Sequence, residues 1–210
     1  MAADLREDWP RRGNPWTTTS TTTVHDNDWF AVEQNAVVRP DGSTGSYEVV
    51  RIRVLGVGIL PIDEKGFVHM IGQWRLPLGR YSWEMPEGGA EDGETPLACA
   101  KRELKEEAGL SAATWREVLT LDLSTSLTDE QAVIFIATGL EAGRACPDDT
   151  EVLAHRRVHF ADVLEAVLDG TVREAMTVAA IPCAQHMAIS GALPAGVTHA
   201  ILNRLGDASA

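Results

Sequence analysis

Residues 88–110 read GGAEDGETPLACAKRELKEEAGL, and the rest of the 210-residue chain is best read outward from them. Thr95 and Pro96 suit a helix start and Gly109 a C-terminal cap, so a helix is expected over about 95–108. At roughly 100° per residue, Glu103 and Glu107 lie about 40° apart, with Glu106 about 60° to the other side of Glu103. Three carboxylates then crowd one face, with no lysine or arginine expected among them. Leu97, Leu104 and Ala108 fall on a face roughly 120° away that can be buried. Packing like charges this way costs helix stability. Alone, the triplet reads as a solvated acidic face. It gains a purpose if cations sit among the carboxylates, because hard divalent ions take oxygen ligands and phosphate oxygens at the same time.

The flanking residues favour that second reading. The stretch runs Gly88, five residues, Glu94, seven residues, then Arg102-Glu103-Leu104-Lys105-Glu106-Glu107-Ala108-Gly109-Leu110. It resembles the Nudix box of the Nudix hydrolases at every defined position. The resemblance implies an α+β fold, a Nudix-type α/β/α sandwich with a mixed sheet, and hydrolysis of a nucleoside diphosphate linked to another moiety. It implies Glu103 and Glu107 as primary ligands of Mg²⁺, with Mn²⁺ as a substitute, and Glu106 as a further ligand. The backbone carbonyl of Glu87 is implied as another, turned inward where Gly88 frees the backbone. Glu94 and Arg102 are expected to tie the loop to the helix, since a carboxylate–guanidinium pair fixes geometry well.

Residues 71–89, IGQWRLPLGRYSWEMPEGG, resemble the ADP-ribose pyrophosphatase and nucleoside diphosphate sugar hydrolase branch of that family. Gln73-Trp74-Arg75 and Glu84-Met85-Pro86 stand where the branch has a Gln-aromatic-Arg and a Glu-aliphatic-Pro element. By carry-over, Arg75 contacts the substrate diphosphate and Glu48 contacts substrate. Trp29, an aromatic residue near the N-terminal strand, is a candidate to stack on a base, with core packing as the alternative. A glutamate in the loop around Asp148, Asp149 and Glu151 is the implied general base. Glu151 is the first candidate and Glu130 the second. One departure stands out: the branch usually carries a proline roughly sixteen residues beyond the box, and Ser126 occupies that place here. The resemblance therefore extends to ADP-ribose or a related nucleoside diphosphate sugar, with a nucleoside triphosphate hydrolase and a non-catalytic nucleotide sensor as the rival readings. In the branch, N-terminal strands exchange between subunits, which implies a homodimer.

Composition sets the outer limits. Apolar residues make up 44% of the chain, enough for a sizeable core. The net charge of −13, from 18 basic and 31 acidic side chains, disfavours nucleic acid or an anionic membrane as partner. Cys99, Cys146 and Cys183 show no metal-ligand spacing and read as reduced thiols of a cytoplasmic protein. No signal peptide or membrane-spanning run is expected. Residues 1–27 read as an irregular extension, with TTTSTTT at 17–23 as an edge strand or a linker. Residues 28–206 are assigned to the hydrolase domain. Strands are expected at 28–38, 47–54, 54–60, 67–74, 115–123, 131–138 and 158–160. Helices are expected at 161–168, at 172–189 with a break or kink at Pro182, and at 197–205.

Overall fold

A computed structural model describes residues 13–145 and 152–207. The chain forms two compact units. One holds the residues up to Arg53 together with Ser124–Asp129; the other holds Val54–Leu123 and the chain from Glu130 onward.

The first unit is an antiparallel sheet in the order β1 (Thr17–Asp26), β2 (Phe30–Val38), β3 (Thr44–Ile52). The threonine run is thus an edge strand, exposed along its whole length. Its hydroxyls reach across to β2: Thr19 Oγ1 donates to the Ala36 carbonyl (3.1 Å) and Thr21 Oγ1 to Asn35 Oδ1 (2.7 Å). The segment 124–129 lies on β3. Val50 N–H donates to the Leu127 carbonyl (2.9 Å), Ile52 N–H to Asp129 Oδ1 (2.9 Å), and the Tyr47 hydroxyl to the Ser126 carbonyl (2.7 Å).

The second unit runs β4 (Gly56–Pro61), β5 (Phe67–Arg75), a 3₁₀ turn (Leu76–Leu78), β6 (Arg80–Glu84), β7 (Glu87–Gly89), α1 (Pro96–Ala108), β8 (Leu110–Asp122), β9 (Gln131–Ala142), β10 (Ala154–His159), α2 (Phe160–Leu168), α3 (Ala175–Ile189) and α4 (Ala195–Asp207). Its sheets have the orders β7-β4-β9-β8 and β10-β5-β6. β4 and β9 pair in parallel, and every other pairing within these two sheets is antiparallel, so the unit is mixed α+β.

The central strands are apolar on both faces, as strands covered twice must be. Val57, Ile59, Val133, Phe135 and Ala137 pack with Cys99, Ala100, Leu104 and Ala108 of α1. The alternate residues Leu60, Ala132, Ile134 and Ile136 pack with Phe160, Val163, Ile181, Ala184 and Ile201 of α2–α4. The period-two alternation of β4 and β9 thus divides the core between two helical layers.

Three expectations need correction. Leu97 shares its angular position with Leu104, seven residues on, yet is 37% exposed. It stands in the first turn of α1, so height along the axis, not angle, removes it from the core. Pro182 does not break α3, which runs unbroken through it. Proline removes one i→i−4 bond, while Ala180, Ile181, Ala184 and Met187 are buried on both sides of it. β6 and β7 are additional strands. In RYSWE the usual code is inverted: Ser82 and Glu84 are buried while Tyr81 is exposed. Among the described residues no helix is long and apolar enough to cross a membrane.

Candidate active site

The helix that carries the acidic triplet is capped at both ends. Thr95 Oγ1 accepts from Ala98 N–H (3.2 Å), Pro96 opens the first turn, and Gly109 closes the helix at φ 65°. An added Cβ at Gly109 would come within 2.5 Å of the Ala145 nitrogen, so glycine is required there for space as well as for conformation.

An arginine does lie among the carboxylates, contrary to the wheel. Arg102 Nε and Nη2 donate to Glu94 (3.1 and 2.9 Å), Nη1 to Glu103 (2.7 Å) and Glu106 (3.1 Å), and Nη2 also to the Gly89 carbonyl (3.0 Å). The i,i+4 spacing to Glu106 and the length of the side chain permit this. The Glu94 hydrogen bond foremost, then Glu103 and Glu106, raise the Arg102 pKa against the effect of burial, and Glu94 in turn is held below the usual carboxylate range by Arg102. The turn that precedes α1 is thereby fastened to the helix.

β7 brings the second group of residues to α1. The Pro86 carbonyl accepts from Ile59 N–H (2.8 Å), so in this antiparallel ladder the next residue turns its backbone groups to the opposite, outer edge. The Glu87 N–H accordingly donates to Glu107 Oε2 (3.0 Å), and its carbonyl lies on that same edge. At Gly88 a Cβ would fall 1.9 Å from Glu103 Oε1, so Gly88 leaves room for that carboxylate against the strand. Successive side chains alternate across a strand. Glu103 therefore lies against one face of β7, and the Glu87 side chain projects from the other.

On that other face stands Arg75, at the end of β5. Its Nε donates to Glu84 Oε2 (3.2 Å), its Nη2 pairs with Glu84 Oε1 (2.6 Å), and Nη2 also pairs with Glu87 Oε1. Gln73 Nε2 donates to Glu84 Oε1 as well (2.8 Å). The Gln73-Trp74-Arg75 and Glu84-Met85-Pro86 elements thus meet through these side chains. Burial raises the pKa of Glu84. Burial, then the charges of Glu174 and Glu84, hold Glu87 well above the usual range, with Arg75 opposing. Glu87 Oε2 is buried and has no hydrogen-bond partner among the described residues.

Around β7 and α1, Arg75 pairs with Glu84 and Glu87, and Arg102 pairs with Glu94, Glu103 and Glu106, while Glu107 accepts from the Glu87 N–H. The crowding of carboxylates on the Glu103 and Glu107 side of β7, the room that Gly88 leaves there and the all-oxygen donor set fit a hard divalent cation. Among the described residues no three such side chains converge on one point, because Arg102 draws Glu103 and Glu106 to itself.

Glu48 and Trp29 belong to the N-terminal unit. Glu48 is exposed and accepts from Gln34 Nε2 (3.2 Å) and Ser46 Oγ (3.1 Å), with its pKa lowered by Gln34 first. Trp29 is 70% exposed. Register places Glu48 opposite Gln34, five residues beyond Trp29, so about 16 Å of strand separates them. Glu130 is half-buried just before β9. Glu151, Asp148, Asp149 and Cys146 lie outside the described residues. Three residues joined to the cluster were passed over by the sequence reading: Glu84 as an ion-pair partner, Glu174 and Thr177. Glu174-x-x-Thr177 reverses the Ser/Thr-x-x-Glu order of a capping box, so no local signal marks the last two.

The NUDIX domain family matches residues 52–178, well over half of the chain. The chain belongs to the Nudix family. A second profile, the nucleoside diphosphate sugar hydrolase N-terminal domain, matches residues 16–50, which span β1 to most of β3. This Nudix chain is 34% identical over 169 residues to the ADP-ribose pyrophosphatase of Mycobacterium tuberculosis, covering 78% of this chain and 80% of that one. It is 32% identical over 159 residues to the ADP-ribose pyrophosphatase of Bacillus subtilis, covering 74% and 83%. A crystal structure of an ADP compounds hydrolase superposes with a TM-score of 0.76 at 24% identity, over 84% of this chain and 95% of that one, and shows the same fold.

Proposed function

We propose that this Nudix enzyme hydrolyses the pyrophosphate bond of ADP-ribose or a related nucleoside diphosphate sugar, giving a nucleoside monophosphate and a sugar phosphate. The observation that carries the reading is the edge of β7 against α1, where the Glu87 backbone, Glu103 and Glu107 come together in a box complete at every position. The substrate class is supported by the two relatives named ADP-ribose pyrophosphatase and by the N-terminal match.

Glu103, Glu106 and Glu107, with the Glu87 carbonyl, would hold the divalent cation, Mg²⁺ or Mn²⁺. Bound there, such an ion neutralises phosphate charge and lowers the pKa of a water. Arg75, kept in place by Glu84 and Glu87, is the group for the diphosphate. Glu48 and Trp29 are the candidates for the nucleoside, and Glu151 is the candidate base. Water attacks phosphorus directly, with no covalent enzyme intermediate. The enzyme is proposed to act in the cytoplasm as a homodimer, with nucleic acid and membranes absent from its partners.

The test is incubation with a panel of nucleoside diphosphate sugars and nucleoside triphosphates in Mg²⁺, with products identified by mass. AMP and ribose 5-phosphate from ADP-ribose, or the matching pair from another sugar, are the expected products. Release of inorganic pyrophosphate from triphosphates alone would replace this reading with a triphosphate hydrolase. Tight nucleotide binding with no turnover in any metal would replace it with a sensor.

A further inference from the structure

The segment 85–87 is held from both sides, residue by residue. Glu87 N–H goes to Glu107 on α1, and the Pro86 carbonyl to Ile59 on β4. Met85 N–H goes to α3: it donates to Thr177 Oγ1 at 3.0 Å, although 92 residues separate the two in sequence. Thr177 is fully buried, and its hydroxyl proton is in turn given to Glu174 Oε2 (2.8 Å). Glu174 is itself fixed as the cap of α3, accepting from Met176 N–H (2.8 Å) and Thr177 N–H (2.7 Å).

The direction of this relay is determined. Met85 N–H can only donate, so Thr177 Oγ1 must accept there and spend its proton elsewhere; the Glu174 carboxylate takes it. The hydroxyl therefore has one orientation, and Met85 has one place. Two residues on, the backbone of Glu87 faces Glu107. A shift of the Met85 amide is passed on to the Glu87 N–H and carbonyl, because Pro86 locks its own φ and its carbonyl is held by Ile59 N–H, leaving few torsions between them to absorb it.

We propose that Thr177, oriented by Glu174, is a positioning residue for hydrolysis. It sets the height of the Glu84–Glu87 segment against α1, and so the placement of Arg75's partners on one side and of the Glu87 backbone beside Glu107 on the other. Neither residue belongs to the box or to the elements before it. The inference rests on the proposed function, and its test separates the two.

The experiment compares wild type with Thr177→Val, Thr177→Ser and Glu174→Gln. It follows kcat and KM on the best substrate of the panel, Mn²⁺ binding by electron paramagnetic resonance without substrate, and Tm. Valine keeps the volume and loses the relay; serine keeps the relay. The expected result for Thr177→Val is a fall in kcat of roughly 10- to 100-fold, the range seen when outer partners of a metal site are removed. KM should stay within about twofold, and Mn²⁺ binding should weaken by a comparable factor. Serine should restore both. Should valine fail to fold, Glu174→Gln, which keeps an acceptor for the cap, is expected to show the same loss in smaller degree. Unchanged kcat and Mn²⁺ binding in a folded valine or glutamine variant, whatever its Tm, would overturn the proposal. A wild type inactive on the whole panel would instead overturn the function it rests on.

Discussion

His69 and His155 meet nitrogen to nitrogen at 2.9 Å across β5 and β10. One imidazole donates and the other accepts, so the contact survives only while the second proton stays off. Burial, then the charge of His155, pushes the His69 pKa down to about 4, with Asp63 opposing and Arg157 assisting. Burial lowers His155 too. A folded pKa below the unfolded value of about 6.5 means stability that is present above pH 6.5 and lost as pH falls toward 4. The loss is on the order of 2 kcal/mol. Urea midpoints measured from pH 7 to pH 4.5 should fall accordingly, and His69→Gln should flatten the curve; an equally steep curve in that variant would contradict the assignment. Glu107→Gln tests the site at the same scale. The amide oxygen can still accept from Glu87 N–H, so Tm should hold, while turnover should drop by roughly 100-fold or more. Residue identities were legible in the sequence; their pairing was not. Arg102 was expected to hold Glu94, yet its contacts to Glu103 and Glu106 depend on rotamers that helical spacing leaves open.

At the scale of elements, α1 is the most predictable part of the chain and β6 the least. Thr95, Pro96 and Gly109 act locally, within one turn of the groups they satisfy, so a sequence suffices to place them. β6 follows no such local rule. Glu84 is buried because Arg75 and Gln73 on the neighbouring strand receive it, and only strand pairing supplies those partners. Two substitutions separate these cases. Gly109→Ala should cost about 2 kcal/mol or more, from the positive φ and the clash with Ala145. Arg102→Lys should cost about 2 kcal/mol despite retaining the charge, since one ammonium cannot serve Glu94, Glu103, Glu106 and the Gly89 carbonyl together. Chemical denaturation reads both; a lysine variant as stable as wild type would show that charge alone fastens the turn.

For the whole molecule, a net charge of −13 repels itself, and the surplus carboxylates around β7 are one concentration of it. A cation bound only by the folded chain at 100 times its Kd adds about 2.7 kcal/mol of stability. Mg²⁺ should therefore raise Tm more than an equal ionic strength of NaCl, and the excess should vanish in a Glu103→Gln, Glu107→Gln double variant. An identical rise in that variant would mean general screening. The proposed homodimer is checked by light scattering at micromolar protein, where a mass near twice the 22.7 kDa of one chain is expected. A monomeric mass would exclude it.

By itself the sequence determined the box helix, both of its caps and the apolar strands of the core, because each rests on spacing within one element, while the class of enzyme followed from the resemblance that the box carries. Tertiary structure alone decided that Arg102 reaches the Gly89 carbonyl, that Glu84 is buried, and that Thr177 reaches Met85 across 92 residues of sequence. Those facts depend on which strands and helices become neighbours, and burial makes unpaired charges and amides too costly to leave without the partners that folding brings.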